Sequence, residues 1–183
     1  MGYDPEKRHR RSVRLTGYDY SLPGMYFVTI VTHRRECLFG DVVDGAMRLN
    51  DAGRIARSCW LETPSHFPRV ELDEFAVMPN HIHGVIFIVG ATHASPLLPE
   101  HRLPPSPRGP LCGSVGAVVG SVKSAVTKRI NVLRGTPGDR VWQRNYYERI
   151  IRDEHELNRA RGYIQVNVAD WAQDAENPLN HPS

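Results

Sequence analysis

Two β-type runs held three residues apart constrain this chain more than any other feature in it. Val70 to Val77 and His81 to Ile88 are rich in β-branched and aromatic residues, and only Met78-Pro79-Asn80 lies between them. Runs of that length and content read as strands. A link so short cannot carry a crossover, so the two strands must pair antiparallel. The second run opens His81-Ile82-His83. Side chains at i and i+2 of a strand share a face, so the two imidazoles point the same way, and Val85 and Phe87 continue that face. A pair so placed can hold one divalent metal, with room for a third protein ligand and for substrate.

The remaining elements fall into place around that pair. Met25 to Thr32 reads as a strand, apolar on both faces and therefore internal to a sheet. Asp44-Gly45 marks a tight hairpin. Asn50 or Asp51 caps a helix that turns Ile55, Cys59 and Trp60 inward and stops before Pro64. Val115, Val118, Val119, Val122, Val126, Ile130 and Leu133 keep the spacing of one buried helical face. Val141 to Ile151 has the content of a fourth strand. Asp153 to Glu156 has capping-box spacing for a last helix, with Leu157, Ala160, Ile164, Val168 and Trp171 as its stripe.

That order predicts an α+β domain of the ferredoxin-like split βαβ kind (βαββαβ). The sheet is antiparallel, with helices on one face and an added C-terminal helix; His81 and His83 could face those helices, and the last helix could lie nearby. The expected layout is a basic arm over 1–22, one domain over 23–175 and a frayed tail over 176–183. Residues 91–113, with six prolines and no period, read as an insertion.

Charge matters for the arm. The net charge of the 183 residues is only +3, but Lys7 to Arg14 concentrates cations at one end. Cys37, Cys59 and Cys112 form no CxxC pair and are odd in number, which argues against a disulfide framework and suits a reducing cytoplasm. No apolar run is long enough to span a bilayer, and the first residues lack a signal core. A cytoplasmic protein without a membrane partner is expected.

On the last helix Tyr163 and Asn167 are four apart and stack on one side. Asn167 offers a carbonyl oxygen, an acceptable ligand for Mg²⁺ or Mn²⁺ beside two imidazoles. This donor set suits a metal that polarises a phosphate while a nucleophile attacks in line. A phenol attacking phosphorus forms an ester that conserves the bond for later rejoining, where simple hydrolysis would need only water.

Pro79-Asn80-His81-Ile82-His83-Gly84 resembles the histidine–hydrophobic–histidine motif of the HUH single-strand endonucleases, and Tyr163-Ile164-Gln165-Val166-Asn167 resembles their tyrosine helix. Together with Tyr26-Phe27-Val28-Thr29, Arg34-Arg35-Glu36-Cys37-Leu38-Phe39 and Trp142-Gln143-Arg144-Asn145-Tyr146-Tyr147-Glu148, the pattern is similar to the REP-associated tyrosine transposases. It runs from about Arg10 to Trp171. The resemblance implies Tyr163 as nucleophile and a divalent metal, Mg²⁺ or Mn²⁺, on His81, His83 and Asn167. The implied reaction cuts single-stranded DNA beside a hairpin, leaves a 5′-phosphotyrosine link and a free 3′-OH, and then joins strands. In the wider group the tyrosine meets the histidines of its own chain or of a partner, so the sequence leaves a homodimer open. Family members often carry Asn-Pro where this chain has Asn167-Val168, so here the helix is free to continue.

Tyr146 and Tyr147 are rival nucleophiles, each followed four residues on by isoleucine and both on an expected strand. Glu148, His33 and His155 read as structural or outlying groups. Arg8, Arg10, Arg11 and Arg14 in the arm, and Lys123, Lys128 and Arg129 on the second helix, are candidates for DNA backbone contact. Two other readings stay open. One is a hairpin-binding protein without turnover. The other is a metal-dependent phosphoester hydrolase, although a histidine-triad version would want histidine where Val85 stands.

Overall fold

The structure is a computed structural model that describes residues 20–90 and 112–180. Four strands, β1 (Gly24–Val31), β4 (Val70–Val77), β5 (His81–Ile88) and β6 (Tyr147–Ile151), form one antiparallel sheet in the order β4-β5-β1-β6. Between them in the chain come the hairpin β2 (Gly40–Val43) and β3 (Ala46–Leu49), then α1 (Asp51–Leu61), the short α2 (Thr63–His66), α3 (Val115–Arg134) and α4 (Glu154–Asn167). The connection from β1 to β4 leaves β5 between its ends, and that from β5 to β6 leaves β1 between its ends. The result is a mixed α+β fold with a four-stranded antiparallel sheet.

Local chemistry explains the boundaries. Asp44 and Gly45 take positive φ, 52° and 71°, at the centre of the β2–β3 turn, the geometry that Asp-Gly favours. The Asn50 side chain accepts from Gly53 N–H at 3.0 Å and starts α1. Asp153 accepts from Glu156 N–H at 2.7 Å and starts α4.

The sheet has two different faces. Tyr26, Val28 and Ile30 of β1 and Ile82, Ile86 and Ile88 of β5 point at α1 and α3, where Trp60, Val122, Val126 and Ile130 complete the main core. At Gly84 a Cβ would stand 2.2 Å from the Trp60 ring, so glycine is what lets α1 approach the sheet there. On the opposite face Met25, Phe27, Val85, Phe87 and Ile151 meet Leu157, Ala160 and Ile164 of α4. His81 pairs with Val31 and His83 with Thr29, so both belong to this second face. They therefore turn away from α1 and α3, and the helix that lies near them is the last one, α4. Strand alternation commits the odd-numbered residues to α4 once Ile82 and Ile86 enter the main core.

Three other expectations change. The fourth strand starts at Tyr147 and not at Val141. Upstream of it Trp142 turns into the core and bridges Thr32, and Lys123 Nζ donates to the carbonyls of Gln143 and Arg144 at 2.6 and 3.1 Å. Those carbonyls are thereby held by a side chain and not by a neighbouring strand. Residues 176–180 are not a frayed tail. Glu176 and Asn177 are buried, and a 3-10 turn spans Pro178–Asn180. Of the 1–22 arm, Tyr20 is buried against Tyr26. Residues 1–19, most of the 91–113 insertion and residues 181–183 lie outside the described residues.

Candidate metal and tyrosine site

His81 and His83 are 0% and 3% exposed, with ring centroids 4.3 Å apart. Buried imidazoles need their nitrogens satisfied, and for His81 the partner fixes the role of Nδ1. The Asn80 amide nitrogen donates to the carbonyls of Arg35 at 3.1 Å and Glu176 at 2.7 Å. Its oxygen must therefore be the atom 2.8 Å from His81 Nδ1, and since that oxygen only accepts, Nδ1 carries the proton. His81 Nε2 is left as a lone pair, the form that binds metal. His83 Nδ1 lies 2.8 Å from the Thr29 hydroxyl, its cross-strand neighbour, and the Tyr163 hydroxyl lies 3.4 Å from His83 Nε2.

The third member of the cluster is Asp174. Ligand atoms of His81, His83 and Asp174 lie within 4.8 Å of one another, and all three residues are buried. Asp174 Oδ2 accepts from the Asn167 amide at 2.7 Å, and Oδ1 accepts from Glu176 N–H. Each carboxylate oxygen keeps a further lone pair, and hydrogen-bonded carboxylates are usual metal ligands. Asn167 Oδ1 is buried and has no hydrogen-bond partner among the described residues. Two imidazoles and one carboxylate, with no thiol among them, form a donor set suited to a divalent cation. The group can hold such an ion.

Asp174 reaches the site because the chain turns back. α4 ends at Asn167, and Trp171–Gln173 forms one 3-10 turn that delivers Asp174 beside the histidines. Trp171 covers His81 with ring centroids 6.0 Å apart. The Glu176 carboxylate then pairs with Arg35 Nε at 3.1 Å. Sequence reasoning missed Asp174 and expected Asn167 as the third ligand, from its helical spacing to Tyr163, its amide oxygen and the family resemblance. The aspartate follows a break in the helix, where periodicity carries no information.

Tyr163 sits one residue before the buried Ile164 and is 44% exposed, and its ring meets His83 edge-on with centroids 5.1 Å apart. Polar ties hold α4 in place. A bulge between Leu72 and Phe75 of β4 presents Asp73 and Glu74, which accept from Arg161 Nε at 3.0 Å and Gln165 Nε2 at 3.0 Å. Hydrogen bonds from Arg161 hold the Asp73 carboxyl below its ordinary pKa.

Of the rival tyrosines, Tyr146 packs at the main core and donates to Glu148 at 2.7 Å. Tyr147 lies opposite Thr29 on the histidine face, 38% exposed, and its ring meets Phe27. Tyr163 is the phenol at the histidines. Glu148 is buried beside Tyr146, and His155 is exposed on α4, so neither joins the cluster.

The predicted DNA cations divide. Arg8, Arg10, Arg11 and Arg14 lie outside the described residues. Lys123 is occupied by two carbonyls, and burial lowers its pKa. Arg129 grips Glu62 with two hydrogen bonds, 2.9 and 2.6 Å, which draw the Glu62 carboxyl down to about 2. Lys128 makes no ion pair among the described residues.

No protein-family model matches the chain. An uncharacterized protein of Haemophilus influenzae is 40% identical over 173 residues, covering 94% of this chain and 95% of that one. Among solved structures, a REP-associated tyrosine transposase bound to a REP hairpin overlays with a TM-score of 0.58 at 15% identity, over 86% of this chain and 74% of the other. That overlay is a likeness of fold. Among the described residues no helix is long and apolar enough to cross a membrane.

Proposed function

This chain belongs to one family with the Haemophilus influenzae protein and has the fold of the hairpin-bound transposase, and from that premise we propose that it cuts and rejoins single-stranded DNA through Tyr163. One distance carries the reading. The Tyr163 hydroxyl lies 3.4 Å from His83 Nε2, at the rim of the His81–His83–Asp174 group and within a single chain. The partner would be single-stranded DNA beside a hairpin, and the place of action the cytoplasm.

A divalent ion, Mg²⁺ or Mn²⁺, would be held by His81, His83 and Asp174, with Asn167 Oδ1 as a further donor, and would draw charge from a non-bridging phosphate oxygen. The other roles belong to the protein. Asn80 and Thr29 each engage the Nδ1 of one imidazole, so that the two Nε2 atoms would be the ones to hold an ion. Tyr163 Oη attacks the phosphorus and loses its proton to solvent, the residue being half open to it. The P–O3′ bond breaks, the 3′ oxygen takes up a proton, and the 5′ phosphate stays on the tyrosine. In the return step a 3′-OH of another strand attacks the same phosphorus and the phenol is released with its proton.

The test mixes the protein, Mn²⁺ and a labelled DNA hairpin with unpaired flanks, followed by a denaturing gel. A labelled band at the protein's mass, lost in Tyr163→Phe and in chelator, is expected. Hairpin binding with no such band would mark a binder without turnover. Released product with no linked intermediate would mark a hydrolase. A band that survives Tyr163→Phe would move the nucleophile elsewhere.

A further inference from the structure

Away from the histidines, the last turns of α3 and the segment 135–144 enclose an open groove of about 1160 Å³. That exceeds the roughly 300–1,000 Å³ of common small-molecule pockets. Lys128, Arg140 and Arg144 line it together with His33 and the occupied Lys123, and Asp139 is the one acid among the lining residues. Lys128, Arg140 and Arg144 make no ion pair among the described residues. Unneutralised cations gathered along one open trough suit a polyanion better than a single small ligand.

The groove is joined to the tyrosine site. Its wall is hydrogen-bonded to the end of β1, with Gln143 N–H to Val31 O at 2.9 Å and His33 N–H to Val141 O at 2.8 Å. Val31 is the direct cross-strand partner of His81. From Arg144 the chain advances three residues, at most about 10 Å, to Tyr147 on the histidine face. Tyr147, Thr29 and His83 then form one row across three adjacent strands, a further span of about 10 Å. A strand leaving the groove past Arg144 would cross the half-exposed Tyr147 ring and arrive at Tyr163.

We propose that this groove seats the sugar–phosphate backbone of the DNA that leads into the tyrosine site, with Lys128, Arg140 and Arg144 neutralising its phosphates. The assignment rests on the tyrosine reading above. It replaces Lys123 and Arg129, which hold the fold, with two arginines that sequence reasoning passed over.

The full chain, loaded with Mn²⁺, is titrated with a labelled DNA hairpin bearing unpaired flanks over a range of KCl. For the Lys128→Ala/Arg140→Ala/Arg144→Ala variant, affinity at physiological salt falls on the order of tens-fold, and the slope of log K against log salt becomes shallower by about 2 to 3. Mn²⁺ affinity and thermal unfolding stay as in the parent chain, and Arg54→Ala/Arg57→Ala on α1 changes neither affinity nor slope. Should the triple variant lose stability, Arg140→Gln reads a single charge, with a slope shallower by about 1. A triple variant that binds with the parent's affinity and slope, while the parent still forms the tyrosine adduct, overturns the groove and leaves the tyrosine reading standing. A parent chain that neither binds the hairpin nor forms an adduct overturns both.

Discussion

The two faces of the sheet are built on different principles. Toward α1 and α3 the contacts are almost wholly apolar, with Tyr26, Trp60, Ile82, Ile86 and Ile130 fully enclosed. Toward α4 a smaller apolar patch is ringed by polar ties: Arg161 to Asp73, Gln165 to Glu74, Arg149 to Glu156, and Asn80 to Glu176. Each large side chain buried in the first face is worth about 1.5–3 kcal/mol. Partly exposed ion pairs like those of the second face contribute about 0–1 kcal/mol apiece. Stability is concentrated on one face, and the candidate metal group sits on the other, where weaker, directional contacts place polar atoms at little cost to the whole.

Substitutions on the two faces should therefore separate activity from folding. Tyr163→Phe abolishes the covalent adduct while leaving the denaturant midpoint within experimental scatter, since the ring and its Phe27 and His83 contacts remain. A matching loss of stability would mean the hydroxyl is structural. On the other face Trp60→Ala leaves a large cavity against Gly84 and costs about 3–5 kcal/mol, read by chemical unfolding. Metal binding and stability then fall together. Asp174→Ala lowers Mn²⁺ affinity by at least tenfold, on the order of what loss of ligand support costs, measured by calorimetry or Mn²⁺ resonance. Unchanged affinity would remove Asp174 from the metal's surroundings.

Acid should sharpen the contrast. The folded pKa of Asp73 is depressed, so its contribution is present above the unfolded value of about 3.9 and declines as pH falls from there through the folded value. Amide exchange on α4 should therefore speed up below about pH 4 before exchange on α3 does, and simultaneous loss would contradict a separately tied α4. The smallest effect is expected off both faces. Gly45→Ala at φ 71° has open space for a methyl but a strained backbone, and costs about 1 kcal/mol with no change in adduct formation.

What could be read from residues alone followed how local the cause was. The β4–β5 pair, the Asp44-Gly45 turn and α3 are set by nearest neighbours and came through with their boundaries. Which face the histidines take depends on Ile82 and Gly84 meeting Trp60 from another part of the chain, and spacing cannot report that. Val141 to Tyr146 has strand composition, yet Trp142 and Lys123 draw it toward α3. Tyr163 was legible because a helix places it. Asp174 was not, because it stands beyond a break in the helix where neither period applies. Asn80 was read only as part of the strand link and of the histidine motif, and its amide oxygen proves to accept from His81 Nδ1.

The fold of residues 170–177 over the histidines has a consequence in the order of synthesis. His81, His83 and Tyr163 all leave the ribosome before Asp174 and Glu176 do. A message broken just after the codon for Asn167 would yield a polypeptide with its phenol and both imidazoles but without the carboxylate or the carbonyl that orients Asn80. Prematurely ended copies would thus lack one of the three buried groups that can gather round a metal ion.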